Sequence, residues 1–126
     1  MTRIEGRTSE APVPAGPYSQ SVRIGSLIAC AGQGGITPDG RLLEGVAAQT
    51  RQALENIAAA LAASGGSLDD VAHVRVYLTE PEQFAEMNRI YGEFFTAPFP
   101  ARTTVYVRLP EGMVVEIDAI ASLAEV

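Results

Sequence analysis

Hydrophobic residues follow two different spacings along this chain, and each spacing predicts one kind of element. Between residues 46 and 61 they recur at helical spacing in an alanine-rich segment that Ser64-Gly65-Gly66 ends, so an amphipathic helix is predicted there. A second helix is predicted after Thr79-Glu80-Pro81-Glu82, because a proline and acidic residues suit the first turn of a helix. The apolar stripe of this second helix consists of Phe84, Met87, Tyr91, Phe94 and Phe95.

Alternation of polar and apolar residues predicts strands elsewhere in the chain. Residues 21–24 and 27–31 flank Gly25-Ser26, a pair suited to a tight turn, and are predicted to form two antiparallel strands. A further strand is predicted over residues 73–78, with valine and leucine on its core face and polar residues, including His73, on the other.

The last part of the chain is predicted to form a β-hairpin with its turn near Glu111. Because side chains alternate along a strand, the residues of both arms divide between two faces. The apolar face, expected to cover the core, consists of Val105, Val107, Val115, Ile117, Ala119 and Ala121. The opposite face consists of Arg102, Thr104, Tyr106, Glu116 and Asp118. An arginine and two acids on one face make this hairpin the best candidate for chemistry in the chain.

The predicted elements run in the order two strands, helix, strand, helix, two strands, and the length of 126 residues predicts one domain over residues 1–126. Right-handed crossovers would place both helices on one face of a single sheet. The other face would carry apolar residues among charges, and a symmetric oligomer that buries it is expected. Ahead of the sheet, the proline-rich residues 11–17 are predicted to be an extended lead-in to Tyr18, and residues 1–10 are expected to fray.

Composition excludes several classes of function. The net charge of −6 and the pI near 4.7 argue against nucleic acid or an anionic membrane as a partner, because phosphate binding needs clustered basic residues. The lone Cys30 excludes an internal disulfide and is typical of a reduced core residue. The reduced cysteine and the lack of a hydrophobic segment at the N-terminus together predict a cytoplasmic protein. Residues 32–40 are rich in glycine but lack the sequence of a phosphate-binding loop. One histidine and one cysteine do not favour a His/Cys metal site or a Ser-His-Asp triad.

Six short motifs are spread over nearly the whole chain: Ala15-Gly16-Pro17-Tyr18-Ser19-Gln20, Ala31-Gly32-Gln33, the run from Gln49 to Ile57, Met87-Asn88-Arg89-Ile90-Tyr91, Pro100-Ala101-Arg102 and the run from Val115 to Ala121. In sequence and in order they are similar to those of the RidA family, also called the YjgF/YER057c/UK114 family. The resemblance implies the chorismate-mutase-like (YjgF-like) α+β fold, with two helices packed on one face of a mixed sheet. It also implies a homotrimer with clefts between neighbouring subunits.

The resemblance implies an activity as well, because family members that carry the arginine of the Pro-Ala-Arg motif hydrolyse reactive enamines and imines. Substrates such as 2-aminoacrylate and 2-iminobutanoate would give 2-keto acids and ammonia, with no cofactor and no metal. By resemblance, Arg102 would clamp the substrate carboxylate and Glu116 would hold or activate the attacking water. Residues that would shape the substrate pocket are Tyr18, Gly32, Asn88 and Thr104.

Two positions depart from the family pattern and leave alternatives open. Ala31 stands where close relatives often carry serine or threonine, and Thr104 stands where many carry cysteine, so substrate preference is open. Taken alone, Arg102 would more often be an ion-pair residue at a surface or an interface. The competing hypothesis is a non-catalytic trimer that binds small carboxylates or regulates a partner protein. A third hypothesis keeps the deaminase and changes its substrate.

Overall fold

The structure, a computed structural model, describes residues 1–124. Its regular elements are β1 (Ile4–Gly6), β2 (Ser21–Ile24), β3 (Leu27–Gly34), α1 (Val46–Ala63), β4 (Val71–Leu78), α2 (Phe84–Phe94), β5 (Ala101–Tyr106) and β6 (Val115–Ser122). Both helices and the β2, β3 and β4 strands lie where the spacing of hydrophobic residues predicts them. In this part of the chain, no helix is long and apolar enough to cross a membrane.

The six strands form one mixed sheet in the order β1-β2-β3-β6-β4-β5. β4 and β5 are parallel, and the other four neighbouring pairs are antiparallel. Both helices pack on one face of the sheet and against each other, as predicted. The core between them is filled by Leu54, Ile57, Leu61, Val74, Val76, Leu78, Met87, Val115 and Ile117. Each such buried aliphatic side chain stabilises the fold by roughly 1.5–3 kcal/mol.

The prediction of a C-terminal hairpin is wrong. β5 and β6 are not neighbours, because β4 lies between them and pairs with both. Successive strands with a good turn between them often pair, but β4, α2 and β5 form a strand–helix–strand unit, whose connection favours parallel pairing. The chain after β5 therefore crosses the end of β4, where the Val107 N–H donates to the Leu78 carbonyl at 2.8 Å.

This pairing also changes which side chains share a face. Arg102 lies beside Val74 of β4, whose side chain is buried under the helices, whereas Glu116 lies beside Tyr77, whose side chain points to the opposite face. The helix-covered face of the sheet edge therefore holds Arg102, Thr104 and Tyr106, and the open face holds Glu116 and Asp118. The expectation that an arginine and two acids share one face is wrong.

The open face, on the side of the sheet away from the helices, exposes apolar side chains to water. Leu27 is 46% exposed, Ile120 is 42% exposed and Val105 is 37% exposed. Val105 and Val107, predicted for the core, are both exposed. Val105 lies on the edge strand β5 at a position that points away from the helices, and Val107 follows the end of that strand. The mixed apolar and charged character predicted for this face is confirmed.

Residues 4–6 form the edge strand β1, so the expectation that residues 1–10 fray is wrong for this part of the segment. Ile4 pairs with Arg23 of β2, and Gly6 pairs with Ser21. A side chain at Gly6 would overlap the hydroxyl groups of Ser21 and Ser64, so glycine allows β1 to pass close to the end of α1. So short a strand among polar residues gives little periodic signal in the sequence.

Cys30 lies in the core, as predicted. Burial, and after it the negative charge of Asp118, raises the pKa of the Cys30 thiol to about 12. The thiol is therefore neutral at physiological pH and is not a nucleophile in the folded chain.

Candidate active site

The residues predicted for the site lie in two separate clefts. The glutamate cleft has a volume of about 600 Å³, and its lining includes Tyr18, Gly32 and Glu116. The arginine cleft has a volume of about 460 Å³ and is lined by Asn88, Tyr91, Gly92, Phe99, Pro100 and Arg102. Thr104 lies on the same face of β5 as Arg102. Among residues 1–124, no group of three or more His, Cys, Asp or Glu side chains is placed to hold a metal ion.

In the glutamate cleft, Glu116 lies directly against Gly32. The pairing of β3 with β6 is irregular between Cys30 and Gln33, so Gly32 sits in a bulge of β3. A Cβ atom at Gly32 would lie 2.5 Å from Glu116 Oε2, and therefore only glycine leaves room for the carboxylate in this position. The bulge and the missing side chain together seat the carboxylate against the backbone of β3.

The environment of Glu116 favours proton exchange. Burial, and after it the negative charge of Asp118, raises the pKa of Glu116. Asp118 is itself held by Arg75 Nε at 2.8 Å and by the Tyr77 hydroxyl, which donates to Oδ2 at 2.9 Å. Within the described residues, no arginine forms an ion pair with Glu116. A half-buried carboxylate with a raised pKa is suited to act as a general base and acid.

A buried glutamine holds the proline-rich lead-in against the glutamate cleft. The two N–H groups of Gln20 Nε2 face three carbonyls, those of Thr8, Ala11 and Pro12, at 3.0, 3.3 and 2.9 Å, and Gln20 Oε1 accepts from the Thr8 N–H at 2.8 Å. These bonds satisfy backbone groups of a segment that has no regular structure of its own. They also place Tyr18, half exposed, at the rim of the cleft.

Two buried amides of α1 bond to loops beside the glutamate cleft, one of them to Ile36, which lines it. Gln49 Nε2 donates to the carbonyls of Leu43 and Gly112, both at 2.9 Å. Asn56 Nδ2 donates to the Ile36 carbonyl at 2.8 Å. Neither Gln49 nor Asn56 is predicted from the sequence to be part of the site. The sequence feature that could have identified them is a polar residue at a position of α1 where helical spacing predicts a core-facing side chain.

In the arginine cleft, Arg102 extends from β5 against the aromatic side chains of α2. Its Cζ is 4.7 Å from the ring centroid of Tyr91 and 5.6 Å from that of Phe84. No carboxylate of residues 1–124 lies within ion-pair distance of this guanidinium. Asn88, from the same helix, lines the same cleft. Guanidinium donors without a partner at a cleft are suited to bind an anion, and a carboxylate in particular.

Known proteins are similar in sequence to this chain over nearly its whole length. A family model described as Endoribonuclease L-PSP matches residues 8–123. The chain is 49% identical over 117 residues to a RutC family protein of Pyrococcus horikoshii, covering 90% of this chain and 93% of that protein. It is 42% identical over 119 residues to the 2-iminobutanoate/2-iminopropanoate deaminase of Salmonella typhimurium, covering 90% of this chain and 93% of that protein.

A solved structure shares the fold as well. The crystal structure of RidA from the Antarctic bacterium Psychrobacter sp. matches with a TM-score of 0.92 and 41% identity, over 95% of this chain and 99% of that one. The chain belongs to the RidA family. Membership confirms the α+β fold that the six motifs imply, with two helices on one face of a mixed sheet.

The site residues expected from the resemblance to the RidA family are divided between the two clefts of a single chain. Asn88 and Arg102 lie in the arginine cleft, with Thr104 on the same face of β5. Tyr18, Gly32 and Glu116 lie in the glutamate cleft. Because Arg102 lies on the helix-covered face of the sheet and Glu116 lies on the open face, one chain does not bring these two groups together.

Proposed function

We propose that this RidA-family chain hydrolyses reactive 2-enamino and 2-imino acids, such as 2-aminoacrylate and 2-iminobutanoate, to 2-keto acids and ammonia. The observation that carries the proposal is the guanidinium of Arg102, which lies on aromatic rings at a cleft with no carboxylate partner among residues 1–124. Such a group favours a ligand that brings its own carboxylate, as every 2-imino acid does. The name of the Salmonella typhimurium relative, an imine deaminase, supports the same reaction.

The proposed reaction needs few protein groups. An enamine tautomerises to an imine with an electrophilic carbon, water adds to that carbon, and the carbon–nitrogen bond then breaks to release ammonia. Glu116 would take a proton from the attacking water and return one to the departing nitrogen, and its raised pKa suits both transfers. Arg102 would hold the substrate carboxylate so that the imine carbon faces this water.

The proposed site needs two copies of the chain, because Arg102 and Glu116 lie on opposite faces of the sheet. The exposed apolar residues of the open face give a second copy a surface on which to pack. β5 is an edge strand, so Arg102 lies where a neighbouring copy can reach it. We therefore propose a homotrimer, the state that the family resemblance implies, in which the arginine cleft of one copy meets the glutamate cleft of the next.

Mixed assemblies of two impaired variants test the site shared between copies. Arg102→Ala and Glu116→Gln chains are unfolded together in equal amounts and refolded. The mixture is expected to regain about a quarter of the wild-type rate of imine hydrolysis, because that share of the contacts joins an intact arginine to an intact glutamate. The controls are each variant refolded alone and the wild type refolded in the same way. A mixture no more active than the separate variants would contradict the shared site.

The reaction itself is tested with an enamine made in place. A serine dehydratase generates 2-aminoacrylate, and the release of keto acid and ammonia is followed with and without the protein. Wild-type protein is expected to accelerate release above the spontaneous rate without any added cofactor, because water positioning and proton transfer suffice. The competing function is a non-catalytic trimer that binds small carboxylates, which Ala31 favours because it offers no hydroxyl beside Gly32. Tight binding of 2-ketobutyrate, with no acceleration for several amino-acid-derived imines, would support that function instead.

A further inference from the structure

The rings against Arg102 are fixed in the core. Tyr91 is 5% exposed, and its ring packs on that of Phe95 with 4.7 Å between centroids. Phe84, at the start of α2, is partly buried and packs against the same core. The guanidinium lies within 6 Å of both Tyr91 and Phe84, the range in which a cation is attracted to the face of a ring.

Arg102 differs from Arg51 and Arg75 in the kind of group that its guanidinium contacts. Arg51 and Arg75 each lie within 3 Å of a carboxylate oxygen, at 2.9 and 2.8 Å. A carboxylate partner uses the N–H donors of an arginine, often two at once. A ring face attracts the same charge through its π electrons and leaves the N–H edges of the guanidinium unused.

We propose that Tyr91 and Phe84 are positioning residues that form an aromatic cradle for Arg102, in place of the carboxylate that would occupy its donors. The cradle offsets the cost of half-burying the guanidinium and restricts its side-chain conformations. It therefore presents the N–H edges to the carboxylate of an incoming substrate. This inference rests on the proposed function for the identity of that substrate, but the cradle itself is a property of the single chain.

The hydroxyl of Tyr91 supplies a matched control. It is buried and has no hydrogen-bond partner among the described residues, so the ring is the part of Tyr91 that serves Arg102 in this chain. Tyr91→Phe keeps the ring face and removes only the hydroxyl, whereas Tyr91→Leu removes the face. Phe94→Leu is a second control, because Phe94 is also an aromatic of α2 that packs on the core but has no ring contact with Arg102.

Steady-state kinetics of imine hydrolysis test the cradle. Tyr91→Leu and Phe84→Leu are expected to raise KM by about 3- to 10-fold, with a smaller change in kcat because Glu116 is untouched. Tyr91→Phe is expected to keep KM within about twofold of the wild type, since the ring face remains. Phe94→Leu is expected to lower Tm and leave KM unchanged, which separates the loss of packing from the loss of the cradle.

Two further measurements keep the cradle testable if hydrolysis is absent. The Kd of 2-ketobutyrate, measured by calorimetry, should rise in Tyr91→Leu and not in Tyr91→Phe, whether or not imines are turned over. Without any ligand, the Arg102 Nε–H resonance, assigned with Arg102→Ala, should carry a ring-current shift that Tyr91→Leu removes. The cradle is overturned if folded Tyr91→Leu leaves that resonance and KM unchanged, or if Tyr91→Phe impairs binding as much as Tyr91→Leu.

Discussion

Replacing Arg102 by alanine is expected to lower kcat/KM for 2-imino acids by about 10- to 100-fold, the range for losing a charge-assisted, two-pronged contact to a carboxylate. The effect is expected mainly on binding and orientation of the substrate, because the carboxylate of Glu116 stays in place. Stability should change little, since Arg102 makes no ion pair with residues 1–124 whose loss would expose a buried charge. The measurement is the rate of keto-acid release at several substrate concentrations, together with Tm.

Two control variants test whether the loss of kcat/KM is due to the guanidinium of Arg102 itself. Arg102→Lys keeps the positive charge but loses the planar fork, and it is expected to recover only part of the activity. Arg51→Ala removes an arginine from an exposed ion pair with Glu93 and is expected to leave kcat/KM unchanged. A wild-type rate in folded Arg102→Ala would show that the substrate carboxylate is not held by this residue.

The helices and the β2–β3 pair could be predicted from sequence because the information is local. Helical spacing marks α1, and Gly25-Ser26 fits the turn between β2 and β3. The place of β5 could not be predicted from alternation, since alternation gives a strand two faces but does not say which strand lies beside it. A helix between two strands favours parallel pairing of those strands, and this applies to β4 and β5 more strongly than the turn near Glu111 favours a hairpin. Parallel pairing of β4 with β5 places Arg102 under α2.

The site residues could be named from the family motifs but could not be arranged from them. Phe84 and Tyr91 are predicted to lie on the apolar stripe of the second helix, and both pack on the core, yet both rings also contact Arg102. That contact depends on how α2 packs over the edge of the sheet, which no local pattern encodes. A structural role for Gln49 could be predicted more easily, because a polar residue on the core side of a helix usually makes specific hydrogen bonds.

Replacing Gly32 by alanine is expected to lower kcat by about 100-fold or more, the range for losing general acid and base catalysis. The reason is steric and local. The φ angle of Gly32 is not among the positive values found at Gly25, Gly40, Gly45, Gly65 and Gly112, so alanine can adopt the same backbone. Its Cβ would lie 2.5 Å from Glu116 Oε2 and 3.0 Å from Cδ, and the carboxylate would have to leave its position. The affinity for 2-ketobutyrate should fall much less, since Arg102 would still bind its carboxylate.

A double-mutant cycle separates this mechanism from a general disturbance of β3. If Gly32→Ala acts by displacing the carboxylate, Glu116→Gln alone should cost about as much, and the double variant should be no worse than either single one. Stability gives an independent check. Because burial raises the pKa of Glu116, ionisation of this carboxyl destabilises the folded state as pH rises. Glu116→Gln should therefore keep or raise Tm at pH 7 while it lowers kcat. Additive losses in the double variant would mean that Gly32 serves the reaction through its own backbone rather than through Glu116.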